Sequence, residues 1–289
     1  MYPAGEPQVT ARTVTLRSGL RIRIAESGAR DHPPVLLLHG WGASLYMWRD
    51  WFAPVVAAGR RAIAIDLPGH GLSDKPSDGA AYRTTSMKEV LLELLDHEAI
   101  ESADIVAQSM AGTIAMELAL THANRLRRLV LVNPALFGQV RIQSFARLVS
   151  PPVIDVILPR LVARWLVART HRMVFGDPSR ITRRDEDEYW APSQFPSYAR
   201  AMRQLLHEFD WARPPVSAMV ARLRPLRAPF LVVLGTRDRL VRGAASYVSA
   251  LRGAGAALEV EIVNGGGHAV NEERPEDVVP IALAFLRRA

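Results

Sequence analysis

The chain of 289 residues contains no cysteine, which excludes disulfides, thiolate metal sites, iron–sulfur clusters and a cysteine nucleophile. Lysine is scarce too, because only Lys75 and Lys88 of the 36 cationic residues are lysines. The formal charge is +7, but arginine is spread along the chain without basic blocks or interleaved aromatic residues. This pattern argues against nucleic-acid binding and leaves an acidic partner or an anionic membrane surface open.

Long apolar runs are also missing, because Arg, Asp or Pro interrupts each run before the roughly 18 residues that a spanning helix needs. Residues 1–7 carry neither the basic start nor the apolar stretch of a secretion signal, so we expect a cytoplasmic protein. A hydrophobic share of 49% and a charged share of 22% are typical of a folded domain. A chain of this length buries a large core without metal or disulfide support.

Short apolar runs alternate with helical patterns along most of the chain. Residues 10–25 predict an antiparallel hairpin, and continuous apolar runs predict strands buried on both faces. These runs lie at residues 34–38, 62–65, 103–107, 129–132 and 230–234, with a weaker one at 258–263. Helices are predicted at residues 47–58, 85–100, 110–121, 242–252 and 275–287. The alternation predicts an α/β fold with a mostly parallel sheet of about eight strands and helices on both faces.

The alternation stops between residues 136 and 211, where helical patterns are broken by prolines and no buried-strand pattern occurs. We therefore predict a core of residues 1–135 and 212–289, with an inserted helical cap, residues 136–211, above the strand ends. Within the cap, residues 158–167 have Arg160 and Arg164 on one side and apolar residues on the other. This segment predicts a helix packed on the core, a lid over an acyl pocket, or a surface for lipid or an acidic carrier protein.

The strongest local motif surrounds Ser109, where an apolar run meets the helix predicted from Met110. Ala107 and Ala111 are small, as a sharp strand–turn–helix with a strained serine requires. Such a turn places the hydroxyl at a helix N-terminus, where backbone N–H groups stabilise negative charge. Taken by itself, the segment also fits a serine that caps an ordinary helix.

This arrangement resembles the nucleophile elbow of the α/β-hydrolases, usually Gly-x-Ser-x-Gly, with alanine at both glycine positions here. Residues 39–42 read His-Gly-Trp-Gly, similar to the His-Gly-x-Gly loop of that family. The resemblance implies an oxyanion hole formed by the backbone N–H groups of Trp41 and Met110. Residues 66–73 resemble a further family signature, which we interpret as structural, with His70 as a hydrogen-bonded turn residue.

Two further loops hold an acid and an imidazole. Asp238 follows the run at 230–234, and His268 follows the last run. A serine hydroxyl is a poor nucleophile until a neutral imidazole takes its proton, and a carboxylate fixes the tautomer of that imidazole. The chain order Ser109, Asp238, His268 is that of the family, and we predict these residues as a catalytic triad. An ion-paired surface aspartate is the alternative for Asp238, although residues 132–134 offer no other carboxylate.

The identity of the nucleophile narrows the chemistry. Members of the family that open epoxides or displace halide carry Asp at the elbow, so Ser109 favours attack on a carbonyl. We predict a serine hydrolase without cofactor or metal, most simply a carboxylesterase that acts on a small-molecule acyl substrate. The alternatives are a C–C bond hydrolase of a ring-cleavage diketone, a perhydrolase or haloperoxidase, and a non-catalytic ligand-binding protein.

Substrate identity and oligomeric state cannot be read from this sequence. Aromatic side chains of the predicted cap are the candidates for an apolar substrate pocket. They are Phe137, Trp165, Phe175, Trp190 and Phe195.

Overall fold

The computed structural model describes residues 1–140 and 164–288. The strands in these residues are β1 (Thr10–Thr15), β2 (Arg21–Ser27), β3 (Pro34–Leu38), β4 (Arg61–Ile65), β5 (Ala103–Gln108), β6 (Leu126–Val132), β7 (Gln139–Val140), β8 (Phe230–Gly235), β9 (Val241–Arg242) and β10 (Glu259–Val263). Eight of them form one sheet in the order β1-β2-β4-β3-β5-β6-β8-β10. The β1–β2 and β2–β4 pairs are antiparallel, and every other pair in this sheet is parallel. The predicted mostly parallel sheet of about eight strands is therefore confirmed.

Helices cover both faces of this sheet. Those in the described residues are α1 (Phe52–Ala57), α2 (Thr84–His97), α3 (Met110–Thr121), α4 (Arg164–Val174), α5 (Arg183–Ser193), α6 (Pro196–Glu208), α7 (Val216–Leu223), α8 (Ala244–Gly253), α9 (Val270–Glu273) and α10 (Pro275–Leu286). Along β5, Ile105 and Ala107 join the core on the α2 and α3 face, while Val106 joins the core on the α1 and α10 face. Because both faces are covered, residues 105–107 of β5 are apolar without alternation. None of these helices is long and apolar enough to cross a membrane.

Two predicted helices differ from the observed ones. The helix predicted at 47–58 is a 3-10 turn at Leu45–Trp48 followed by the short α1. Pro54 explains the break, because a proline lacks the N–H of a helix interior and fits only in a first turn. The helix predicted from residue 242 begins later, because Arg242 belongs to β9 and Gly243 has a left-handed φ of 76°.

Between β6 and β8, the described residues add no strand to the central sheet. They contribute α4, α5 and α6, which fall within the predicted cap of residues 136–211. The short β7 pairs antiparallel with β9 and ties the start of this region to the chain after β8. In the predicted amphipathic segment, residues 158–163 lie outside the described residues, and residues 164–167 form the first turn of α4.

Candidate active site

Ser109 lies at the sharp turn between β5 and α3. Its backbone has φ 53° and ψ −116°, a strained conformation for a residue with a side chain. Three hydrogen bonds fix the turn: Ser109 N donates to Val132 O at 3.0 Å, and Ser109 O accepts from Gly112 N at 3.0 Å and Ala135 N at 3.1 Å. The strain is therefore sustained by the surrounding structure, and the hydroxyl stands at the N-terminus of α3.

Small residues around this turn are required by close packing. Ala107 and Ala111 are fully buried on either side of the serine. A Cβ at Gly112 would lie 2.9 Å from Pro134 Cβ, closer than carbon atoms approach. The turn therefore has no room for a side chain at residue 112, and small residues fill the buried positions 107 and 111.

The structure brings Ser109, His268 and Asp238 together. His268 Nε2 is 2.8 Å from Ser109 Oγ, and His268 Nδ1 is 2.8 Å from Asp238 Oδ2. Asp238 Oδ1 accepts the backbone N–H groups of Leu240 at 2.8 Å and Val241 at 2.9 Å. With both oxygens occupied, the carboxylate accepts the Nδ1 proton of His268 and leaves the Nε2 lone pair facing the serine hydroxyl. This arrangement can remove a proton from Ser109 and retain it on a stabilised imidazolium.

Of the two residues predicted to supply the oxyanion hole, Met110 follows Ser109 directly and Trp41 follows a glycine that packs against Ser109. Met110 is the first residue of α3, and a Cβ at Gly40, which precedes Trp41, would lie 2.9 Å from Ser109 Cβ. In the described part of the chain, neither Trp41 N nor Met110 N has a hydrogen-bond acceptor. Two unpaired donors beside a nucleophile can bind the oxyanion of a tetrahedral intermediate.

Two buried histidines, His39 and His70, stabilise the loop of residues 39–42. Leu67 N donates to His39 Nε2 at 3.0 Å, so His39 carries its proton on Nδ1 and donates to Gly40 O at 2.8 Å. His70 packs edge-on against His39, with ring centroids 4.8 Å apart, and its Nδ1 is 3.1 Å from Pro68 O. Burial lowers the pKa of His39 and holds the pKa of His70 well below its ordinary value. Both rings are therefore neutral supports of the loop.

Two amides near the site were not among the predicted residues. Asn133, which follows β6 with a φ of 42°, donates from Nδ2 to Gly267 O at 2.8 Å and His268 O at 3.0 Å, and its Oδ1 accepts Gly235 N at 2.9 Å. Gln108 Nε2 also donates to His268 O at 3.0 Å. The two amides join the imidazole loop to β5, β6 and β8. The sequence offers one signal for them, their positions at the ends of strands.

A family model for the alpha/beta hydrolase fold matches residues 33–275. The chain belongs to the α/β-hydrolase fold family. This hydrolase-fold chain is 29% identical over 274 residues to the dihydrolipoyllysine-residue acetyltransferase component of an acetoin cleaving system from Pseudomonas putida, covering 93% of this chain and 68% of that protein. It is 36% identical over 135 residues to a 2-hydroxymuconate semialdehyde hydrolase from Pseudomonas sp., or 46% of each chain. Family membership and this relative support a hydrolase.

Solved structures share the fold of this α/β-hydrolase. A Vigna radiata epoxide hydrolase mutant superposes with a TM-score of 0.78 at 18% identity, covering 97% of this chain and 99% of that one. At this level of identity the likeness concerns the fold alone, because one fold carries many activities.

Helix α6 of this α/β-hydrolase packs against Trp41 and Gly42, in the loop predicted to form part of the oxyanion hole. Trp41 Nε1 donates to Met202 O at 3.2 Å, and Tyr198 Oη donates to Gly42 O at 3.4 Å. Burial raises the pKa of Tyr198, which keeps its hydroxyl a donor. The indole N–H of Trp41 is thus bonded within the protein, and its backbone N–H is the group predicted to act as an oxyanion donor.

The five aromatic residues predicted for a substrate pocket do not share one environment. Phe137 is buried against Tyr247 on the α2 and α3 face of the sheet, and Phe175 is buried against His171 on the opposite face. Trp190 is half-buried. The side chains of Trp165 and Phe195 are 68% and 43% exposed. Apolar character alone does not separate core, surface and pocket positions, and a substrate pocket lined by these residues stays a prediction.

Clusters of metal-ligating side chains are absent from the described part of the chain. Across 1–140 and 164–288, no group of three His, Asp or Glu side chains is arranged to hold a metal ion.

Proposed function

We propose that this α/β-hydrolase is a serine hydrolase that cleaves a carboxylic ester through an acyl intermediate on Ser109. The observation that carries the proposal is the continuous hydrogen-bonded chain from Ser109 Oγ through His268 to Asp238, with 2.8 Å at each step. Contact of this kind between nucleophile, base and carboxylate activates a hydroxyl at neutral pH.

In the proposed reaction, His268 Nε2 takes the Ser109 proton as Oγ attacks the ester carbonyl carbon. The tetrahedral oxyanion accepts hydrogen bonds from Trp41 N and Met110 N, and loss of one such donor typically costs about 3 kcal/mol of activation free energy. The imidazolium then gives its proton to the leaving alcohol as the C–O bond breaks. A water molecule, deprotonated by the same imidazole, hydrolyses the acyl-serine and restores the hydroxyl.

The choice of an ester follows from the nucleophile. Family members that open epoxides or displace halide form an ester on an Asp carboxylate, which Ser109 cannot provide. The activity named for the Vigna radiata epoxide hydrolase is therefore not proposed for this chain. A serine alkoxide attacks carbonyl carbon, and an ester is the simplest substrate with a good leaving group.

Hydrolysis of a C–C bond in a ring-cleavage diketone is the second candidate. One observation favours it, the 36% identity over 135 residues with a 2-hydroxymuconate semialdehyde hydrolase. A panel of p-nitrophenyl esters of increasing chain length, run beside a dienone acid, separates the two. Faster turnover of the dienone acid than of every ester would favour the second candidate over the first.

The central test is covalent labelling of Ser109. A fluorophosphonate should label the wild type with one equivalent per chain, and Ser109→Ala should not label. Ser86→Ala is the matched control, because Ser86 Oγ donates to Ala80 O at 2.8 Å and takes no part in the site. If the folded wild type fails to label at neutral pH, the proposed function is wrong.

A further inference from the structure

We propose that Glu273 is a positioning residue, whose buried carboxylate docks residues 174–177 of the predicted cap onto the loop that carries His268. The proposal rests on the proposed function, since it concerns how the base is held. Residues 174–177 are called the cap segment below. On this proposal, His268 is aligned with Ser109 when the cap segment is docked and loses that alignment when it is not.

The carboxylate of Glu273 accepts three backbone N–H groups. Its Oε2 accepts from Gly176 N at 2.9 Å and from Gly267 N at 2.7 Å, and its Oε1 accepts from Asp177 N at 2.7 Å. The residue is only 2% exposed. Gly176 and Asp177 follow α4, whereas Gly267 directly precedes His268, so one side chain joins the two segments. Hydrogen bonds to an ionised acceptor are about twice as strong as neutral ones.

The two backbones touch where they are joined. Ala269 N donates to Val174 O at 3.1 Å. A Cβ at Gly176 would overlap Gly265 O and lie 2.9 Å from Gly267 N. A Cβ at Gly267 would lie 2.5 Å from Val174 O. The contact therefore depends on a glycine in each segment.

The aspartate loop shares this junction. Arg237 N donates to Gly266 O at 2.8 Å, and Arg237 Nη1 donates to Gly176 O at 3.3 Å. Gln108 and Asn133 hold the imidazole loop from the ends of β5 and β6, Glu273 holds it from α9, and Val174 holds it from the cap segment. Lifting residues 174–177 would remove the bond of Ala269 to Val174 and the bond of Arg237 to Gly176, so that the loops of His268 and Asp238 would be held less firmly.

The first experiment replaces the carboxylate. Glu273→Gln keeps the shape but places an NH₂ group against at least one backbone N–H, so the loop must shift. We expect kcat and the fluorophosphonate labelling rate to fall about 10- to 100-fold, with KM changed less than about two-fold.

Glu98→Gln is the matched control. Glu98 is a buried carboxylate that pairs with Arg12 at 2.7 Å and Arg61 at 2.9 Å at the opposite end of the sheet. It should lower the melting temperature and leave the labelling rate unchanged. The proposal is overturned if Glu273→Gln lowers only the melting temperature and labels at the wild-type rate.

The second experiment acts from the cap segment. Gly176→Ala leaves Glu273 and His268 intact but forces the two backbones apart, and it should slow labelling in the same way. Gly253→Ala is its control, because a Cβ there meets no atom within 4 Å.

Backbone hydrogen exchange gives a readout that does not depend on catalysis. In Glu273→Gln and in Gly176→Ala, residues 174–177 and 265–269 should lose protection together. If only one segment loses protection, the proposed coupling is wrong. If the wild type does not label at all, the proposed function fails, while the exchange result still decides the docking.

Discussion

Replacement of Asn133 by alanine should destabilise the fold and disorder the site. The substitution removes the donor to Gly267 O and the acceptor of Gly235 N, and His268 O keeps its bond from Gln108. Each buried group without a partner costs about 1–3 kcal/mol, and alanine at a φ of 42° adds about 1 kcal/mol. We expect the free energy of unfolding to fall by about 3–7 kcal/mol, a large part of the roughly 5–15 kcal/mol of a typical domain.

The assay is urea denaturation followed by tryptophan fluorescence, with Asn271→Ala as the matched control. Asn271 is fully buried, and its side-chain amide has no hydrogen-bond partner in the described residues. Its loss should therefore destabilise much less than the loss of Asn133. If Asn133→Ala costs less than about 1 kcal/mol, or no more than Asn271→Ala, the reasoning from orphaned backbone groups is wrong.

Asn133→Asp tests the direction in which stability changes with pH. One carboxylate oxygen accepts Gly235 N, but the other faces the carbonyls of Gly267 and His268, which only a protonated carboxyl satisfies. The folded state should therefore raise the pKa of this Asp above its unfolded value of about 3.9. The protonated carboxyl therefore contributes stability at acid pH, and this contribution is lost as the pH rises. The difference in unfolding free energy between Asn133→Asp and the wild type should become smaller as the pH falls from about 7 to about 5. If the difference widens instead, the protonated carboxyl is the wrong assignment.

Two further predictions concern the loop beside Ser109. Gly40→Ala introduces a Cβ that overlaps Gln108 Oε1 and lies 2.9 Å from Ser109 Cβ, so kcat on p-nitrophenyl acetate should fall about 100-fold, and an unchanged kcat would contradict the packing argument. Burial lowers the pKa of His39 and His70 in the folded state, so unfolding takes up protons below the ordinary value of 6.5 and stability is lost as pH falls. The free energy of unfolding should fall by about 1.4 kcal/mol per pH unit for each histidine. Urea titrations at several pH values should show that unfolding of His70→Phe takes up about one proton fewer than unfolding of the wild type, so its unfolding free energy changes less steeply with pH.

The strands were predictable because a buried parallel strand must be apolar on both faces. The start of β6 was missed, since the apolar run begins at Leu129 whereas the strand begins at Leu126. Arg127 and Arg128 interrupt the run, yet Arg127 is accommodated by an ion pair with Asp104 at 3.2 Å. Because the partner of Arg127 lies in β5, nothing in the sequence of β6 itself indicates that an arginine can be accommodated there.

The sequence predicted that Ser109, Asp238 and His268 meet because β5, β8 and β10 run parallel. Their carboxyl ends, which these residues follow, therefore lie on the same side of the sheet. Their catalytic roles remain predictions. The supporting contacts of Asn133 and Glu273 could not be anticipated, because their partners are backbone groups of remote loops. A backbone N–H or carbonyl is present in every residue, so no sequence pattern marks it as a partner.

The sheet order has a consequence for protein synthesis. Strand β10 lies at the sheet edge beside β8, and the imidazole that follows it is 159 positions beyond the serine. A polypeptide emerging from the ribosome therefore exposes the hydroxyl long before its proton acceptor has been translated. On the proposed function, nascent chains and products of premature termination before His268 would be hydrolytically inert, whatever other parts of them had already folded.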